Sequence, residues 1–160
     1  MRRTVLGFAT TMVAAMLAAC GVAMLAVKDP AQAADPGQNG RIAYVSHLPS
    51  GLHEIYTMKP NGTDRKQLTD DSVYDTSPVY SPSGTKIAFV GQGPDGTDRQ
   101  LVVQDGRDPV WSPDGRKIAF TRDSHVYTVN PDGTSEREVP GTPPENGPSE
   151  ILPDWGPKSP

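Results

Sequence analysis

The chain has 160 residues, enough for one ordinary domain, with 21% charged and 35% hydrophobic side chains, 16 Gly and 17 Pro; it is turn-rich without being collagen-like or plainly disordered. Its formal charge is -4, but residues 1–33 hold Arg2, Arg3 and Lys28 against Asp29 alone, so the body that follows carries 12 basic and 18 acidic groups, a net of -6. That balance excludes a basic nucleic-acid footprint, and the single cysteine, Cys20, excludes a disulfide framework or a multi-cysteine zinc site.

Residues 1–33 read as an export signal or a membrane anchor. Arg2 and Arg3 precede an apolar run from Val5 to Val27, and Ala31-Gln32-Ala33 offers small residues where a signal peptidase cuts, which places the mature start at Ala34. Three alternatives stay open. The run is long enough to span a bilayer if uncut. Leu17-Ala18-Ala19-Cys20-Gly21 has the form of a bacterial lipobox with Cys20 as the lipidated residue, and Arg2-Arg3 is compatible with a twin-arginine signal. All of them put the body outside the cytoplasm, with membrane contact only through this segment. Residues 34–39 read as a linker.

The body is organised by internal repeats. The stretch Pro78-Val79-Tyr80-Ser81-Pro82-Ser83-Gly84-Thr85-Lys86-Ile87-Ala88-Phe89-Val90 recurs from Pro109 through Trp111 to Thr121, with most positions identical. Its second half is present at the start as Gly40-Arg41-Ile42-Ala43-Tyr44-Val45, and its first half at the end as Pro153-Asp154-Trp155-Gly156-Pro157. A second unit, Ile55-Tyr56-Thr57-Met58 to Thr63, returns as Val126-Tyr127-Thr128-Val129 to Thr134.

These segments are short, β-branched or aromatic, and apolar at successive positions, so they predict strands covered on both faces. Between them stand Lys59–Gly62, Ser81–Gly84, Gly93–Gly96, Ser112–Gly115 and Asn130–Gly133, each with Pro second and Gly fourth. That is the chemistry of a type I turn closed by a left-handed residue. No stretch of the body carries a helical apolar period.

Through its P-x-[WY]-S-P-x-G-x-[KR]-I-A-F and I-Y-x-M-x-x-x-G units, the stretch 40–157 resembles the TolB-like, WD-type β-propeller repeat. The resemblance implies an all-β fold of four-stranded antiparallel blades around an axis, with the Trp or Tyr strand innermost. In that frame blade one has b at 41–46, c at 53–58 and d near 66–69; blade two has a at 78–81, b at 85–90 and c at 99–104; blade three has a at 109–112, b at 116–122, c at 124–129 and d near 136–139. Gln104–Asp108 leaves no room for a d strand in blade two. Pro153–Gly156 is expected to close onto blade one as its missing a strand, before a tail at 158–160. Three blades fall short of the usual four to eight, so the expected assembly is either an incomplete propeller or a six-bladed homodimer.

Several motifs have plainer readings. Gly91-Gln92-Gly93-Pro94-Asp95-Gly96 matches a dinucleotide pattern, but it coincides with a hairpin turn where that chemistry needs a helix N-terminus. Ser83 and Ser112 lie in S-P-x-G turns, not in a nucleophile elbow. His47, His53 and His125 lack metal-ligand spacing. Asp70, Asp71 and Asp75 form a carboxylate-dense loop of the kind calcium accepts, but without EF-hand spacing. Asn61-Gly62-Thr63 is formally a glycosylation sequon and reads as a turn. No catalytic residue, cofactor or metal is therefore assigned.

In an a-b-c-d meander the uniform turns share one end and the variable connections the other, and variable loops on a rigid scaffold are where recognition is built. The expected binding face comprises His47, Leu48, Asp70, Asp71, Tyr74, Gln92, Asp95, Arg122 and Asp123. The function this implies is a non-catalytic extracytoplasmic module that binds an envelope or extracellular protein. The alternative classes are a propeller-type hydrolase or lyase remnant and a truncated product without independent function.

Overall fold

The computed structural model describes residues 20–26, 40–92, 99–141 and 152–156. Every regular element among them is a strand, and no helix among them is long and apolar enough to cross a membrane. The strands are β1 (Cys20–Ala26), β2 (Ile42–His47), β3 (His53–Met58), β4 (Lys66–Gln67), β5 (Asp75–Tyr80), β6 (Lys86–Gln92), β7 (Arg99–Gln104), β8 (Arg107–Trp111), β9 (Ile118–Arg122), β10 (His125–Val129) and β11 (Arg137–Glu138). They form three antiparallel sheets in the orders β2-β3-β4, β5-β6-β1-β7 and β11-β10-β9-β8.

The proline-glycine turns behave as their chemistry dictates. Gly62, Gly84, Gly115 and Gly133 take φ of 79°, 68°, 69° and 84°. Their amides bond back to the carbonyls of Lys59, Ser81, Ser112 and Asn130 at 2.8–2.9 Å. A Cβ at these positive φ values would be strained, which is why the fourth place is glycine. The fifth such turn, Gly93–Gly96, lies outside the described residues, as does the linker at 34–39.

The repeat also reproduces an irregularity. In β5 the pairing with β6 shifts register between Thr76 and Val79, and in β8 the pairing with β9 shifts between Arg107 and Val110. Ser77 and Asp108 occupy the same place in the two copies and have φ of 54° and 49°. Both strands therefore bulge just before their Pro, which cannot donate to the ladder.

Two differences from the sequence reading concern the second and first sheets. The second sheet has four strands although Gln104–Asp108 carries no d strand, because residues 20–26 of the N-terminal apolar run insert between β6 and β7 and pair with both. Arg99–Gln104 is thus the outer strand of its sheet, not the neighbour of β6. The side chains of β1 alternate as a fully covered strand requires: Val22 and Met24 pack with Val102, Val103, Trp111, Ile118 and Phe120 toward the third sheet, and Ala23 and Leu25 pack with Ile55, Ile87 and Phe89 toward the first. An apolar stretch satisfies a two-sided interior strand as well as it satisfies a leader core, so its composition alone does not distinguish them.

The second difference is at the C-terminus. Pro153–Gly156 does not close onto the first sheet and forms no strand; the Trp155 indole donates to the Val110 carbonyl of β8 at 3.3 Å. The first sheet has three strands, and among the described residues nothing pairs with the free edge of β2. The three described sheets do not close into a ring.

Candidate functional site

The connections from β2 to β3 and from β4 to β5 meet at one end of the first sheet. The first is a tight loop, with the Leu48 amide on the Leu52 carbonyl at 2.8 Å and Gly51 at φ 88°. It brings His47 and His53 opposite each other as the last pair of β2 and β3. Their rings stack at 4.1 Å and 9°, and the edge of His53 meets Tyr74 at 5.0 Å and 84°. Tyr74 is 44% exposed and His47 is exposed, so three aromatic rings, two from the end of one hairpin and one from the next loop, form one surface patch.

Beneath this patch lies a buried ionic cluster. Glu54 follows His53 on β3 and is fully buried; its Oε2 accepts from the Thr69 hydroxyl at 2.6 Å, and Oε1 accepts from the Asp71 amide at 3.3 Å. Asp71 also caps its own loop, its Oδ1 accepting from the Val73 amide at 2.9 Å. Arg99, on β7, is ion-paired through Nη2 with both Asp71 and Asp75, and its Nη1 donates to Asp75 Oδ1 at 3.2 Å. The guanidinium also lies over the Phe89 ring at 5.0 Å. The two-pronged Arg99–Asp75 pair, the geometry for which arginine is suited, lies within the second sheet, and the loop carrying Thr69 and Asp71 ties it to Glu54 on the first.

Gly91 shows why the start of the dinucleotide-like run is glycine here. A Cβ at that position would lie 2.8 Å from Asp75 Oδ1 and 3.2 Å from the Phe89 ring, so the carboxylate reaches Arg99 only over a bare backbone. In the next repeat the place of Asp75 belongs to Gly106, where a Cβ would fall 2.8–3.0 Å from Val103, Val22 and Phe120. Apolar side chains fill that corner, and no carboxylate fits.

Glu54, Asp71 and Asp75 each offer an oxygen within 4.8 Å of the others, a donor set that a hard cation accepts. The positive charge such a set needs is supplied within the chain by Arg99 for two of the three groups. Asp70, the third member of the sequence-level calcium reading, is exposed and stands outside the hydrogen bonds that organise the cluster.

Burial raises the Asp75 carboxyl from 3.8 to about 6 against the opposing pull of Arg99. Between those values the folded chain holds a proton there that the unfolded chain has released. The stability contributed by this group is therefore complete below about pH 4 and falls as pH rises toward 6. Relative to Asp75→Asn, which does not titrate, the wild-type chain is expected to lose up to ~3 kcal/mol of unfolding free energy between pH 4 and pH 7. Urea unfolding of both proteins at the two pH values measures it; parallel pH profiles would contradict the raised carboxyl.

On the third sheet, Arg122 lies over the Phe120 and Tyr127 rings at 5.2 and 5.1 Å, pairs with Glu136 at 2.5 Å and donates from Nε to the Gln104 carbonyl at 3.1 Å. Asp123 and Ser124 form the two-residue turn after it, both at positive φ, as a type I′ hairpin requires. Of the nine residues expected on the binding face, His47 and Tyr74 are joined through His53, which touches both, with Leu48 in the adjoining loop. Asp71 turns inward to the ion cluster, Asp70 and Asp123 are exposed, and Arg122 is held by its own partners. Gln92 ends β6 opposite Cys20, and Asp95 lies outside the described residues. The sequence reading missed His53, Glu54 and Arg99 as members of this end. The signal for the first was the hairpin register, which places His53 across from His47. Nothing local marks Arg99, whose partners are Asp75, on β5 of the same sheet, and Asp71, in the loop before that strand.

No family model matches the chain. It is 39% identical over 67 residues to a protein described as Protein TolB homolog, from Chlorobium luteolum; the match covers 41% of this chain and 15% of that protein. The chain thus spans only a small part of the curated relative it matches.

Proposed function

We propose that the chain is a non-catalytic extracytoplasmic binding module whose sheets are blades of a TolB-like, WD-type β-propeller, and that it engages an envelope or extracellular protein through the loop end described above. The observation that carries this reading is the surface patch of His47, His53 and Tyr74 standing on the Glu54–Asp71–Arg99–Asp75 cluster. Exposed aromatic rings on an immobile base are the kind of surface that anchors a protein partner, because little side-chain freedom is lost on binding. The partial identity to a TolB homolog and the leader reading of residues 1–33 support the location.

A photoreactive amino acid placed at His47 or at Tyr74 in cells is expected to give the same discrete protein adduct from both positions. The same probe at Pro131, in the uniform-turn end, is expected to give none. Equal labelling from both ends, or adducts from neither loop position, would refute the loop face. Purified chain is expected to release no product from panels of peptides and glycans, and turnover lost on substitution of His53 would overturn the non-catalytic reading.

A further inference from the structure

Among the described residues, the first sheet lacks the inner strand that the second and third sheets have. In those two the inner strand pairs in one register: Tyr80 with Ile87 and Val79 with Ala88, then Trp111 with Ile118 and Val110 with Ala119. Ile87 and Ile118 are fully buried as a result. Ile42 holds the same place on β2, and it is 42% exposed. The repeat has built a strand that no described segment covers.

The chain also holds an inner-strand segment beside which no described strand stands. Trp111 donates its indole N–H to the Val79 carbonyl, and Trp155 donates to the Val110 carbonyl, both at 3.3 Å. Each tryptophan thus bonds to the residue preceding the aromatic of the sheet before it. By this rule Pro153–Gly156 already stands as the inner strand of a sheet following the third, and no described strand stands beside it. The rule also assigns a partner to Tyr80: a carbonyl one residue before the aromatic of an inner strand in the first sheet. The Tyr80 hydroxyl is buried and has no hydrogen-bond partner among the described residues.

We infer that two copies of the chain close on each other by exchanging this segment, residues 153–156 of each pairing antiparallel with β2 of the other. Trp155 then lies opposite Ile42 and Asp154 opposite Ala43, and the Asp154 carbonyl comes to the Tyr80 side of the first sheet. Within one chain the exchange is blocked by position, since Trp155 is seated on the third sheet and the second sheet stands between the third and the first. A second copy brings its first sheet to that place, and a two-fold axis completes both sheets at once. The described sheets of the two copies then number six, within the range in which such sheets form closed rings.

The test uses the full chain with Cys20→Ser as background. A chain carrying only Ala43→Cys is mixed with one carrying only Asp154→Cys and mildly oxidised, and a disulfide-linked dimer is expected from the mixture and from neither chain alone. Ala43→Cys and Asp154→Cys in one chain are expected to give a doubly linked dimer. An intramolecular disulfide, or no cross-link, would overturn the exchange. Sedimentation guards against a cysteine variant that misfolds: the unsubstituted chain is expected to be a dimer at micromolar concentration. Trp155→Ala is expected to weaken it by roughly 30-fold or more, as truncation of a central aromatic does. A monomer, or open polymers growing with concentration, would refute the closed pair. Loop-face binding is read by a different experiment, so failure of the exchange leaves the proposed function standing.

Discussion

A chain that begins at Ala34 is expected to lose amide protection throughout β6 and β7 and to unfold at a markedly lower temperature than the full chain. The cause is the removal of β1, whose Val22, Ala23, Met24 and Leu25 are all 6% exposed or less and pack toward both neighbouring sheets. Burying three side chains of the size of Val, Met and Leu contributes roughly 5 to 9 kcal/mol in all. A small domain has only about 5 to 15 kcal/mol in total. The ladder bonds from β1 to β6 and β7 are lost as well, leaving two interior strand edges open. Hydrogen exchange and thermal unfolding of the two chains decide the matter. Equal protection in both would show that β6 and β7 pair directly once residues 1–33 are gone, as the meander reading of the second sheet expects. The comparison therefore also tests which form of the chain the expected cut before Ala34 would leave.

The second large effect is expected at Trp111. It is 6% exposed, its indole bonds to the Val79 carbonyl, and its ring sits in the cluster that joins the second and third sheets with Phe120 and Ile118. Trp111→Ala is expected to cost about 3 to 5 kcal/mol, the transfer loss plus the cavity left between two sheets that cannot collapse onto each other. In a domain of this size that corresponds to a fall in Tm of roughly 10 °C or more. Trp111→Phe, which keeps a ring but loses the N–H donor, is expected to cost much less than the alanine variant. Urea unfolding measures both. If the two substitutions cost the same, the bond to Val79 dominates and the packing argument fails.

The hairpins, strand positions and turn types were legible in the residues because each depends on local chemistry. Pro and Gly at fixed places determine a turn whatever surrounds it, and Arg99–Gln104 and His53–Met58 are strands at the bounds that the resemblance to the β-propeller repeat implies. The all-β class follows from the short β-branched and aromatic runs and the absence of any helical period, whereas the bulges before Pro78 and Pro109 are seen only in the strand pairing. For the candidate site, His47 and Tyr74 could be placed at one end by counting strands alone.

What the residues could not decide is which segment fills which gap. Cys20–Ala26 has the composition of a leader and equally that of a strand buried on both faces, and only the packing against Ile87 on one side and Phe120 on the other selects the second role in the folded chain. Trp155 repeats the signal of Tyr80 and Trp111, but the repeat states only that it is an inner-strand residue; its bond to Val110 decides which sheet it stands beside. Asp71 and Asp75 were visible as acidic loop residues. Their burial around Arg99 depends on ion pairs to a strand well removed along the chain, and such long-range pairs carry no local pattern because charge acts through space, not along the chain.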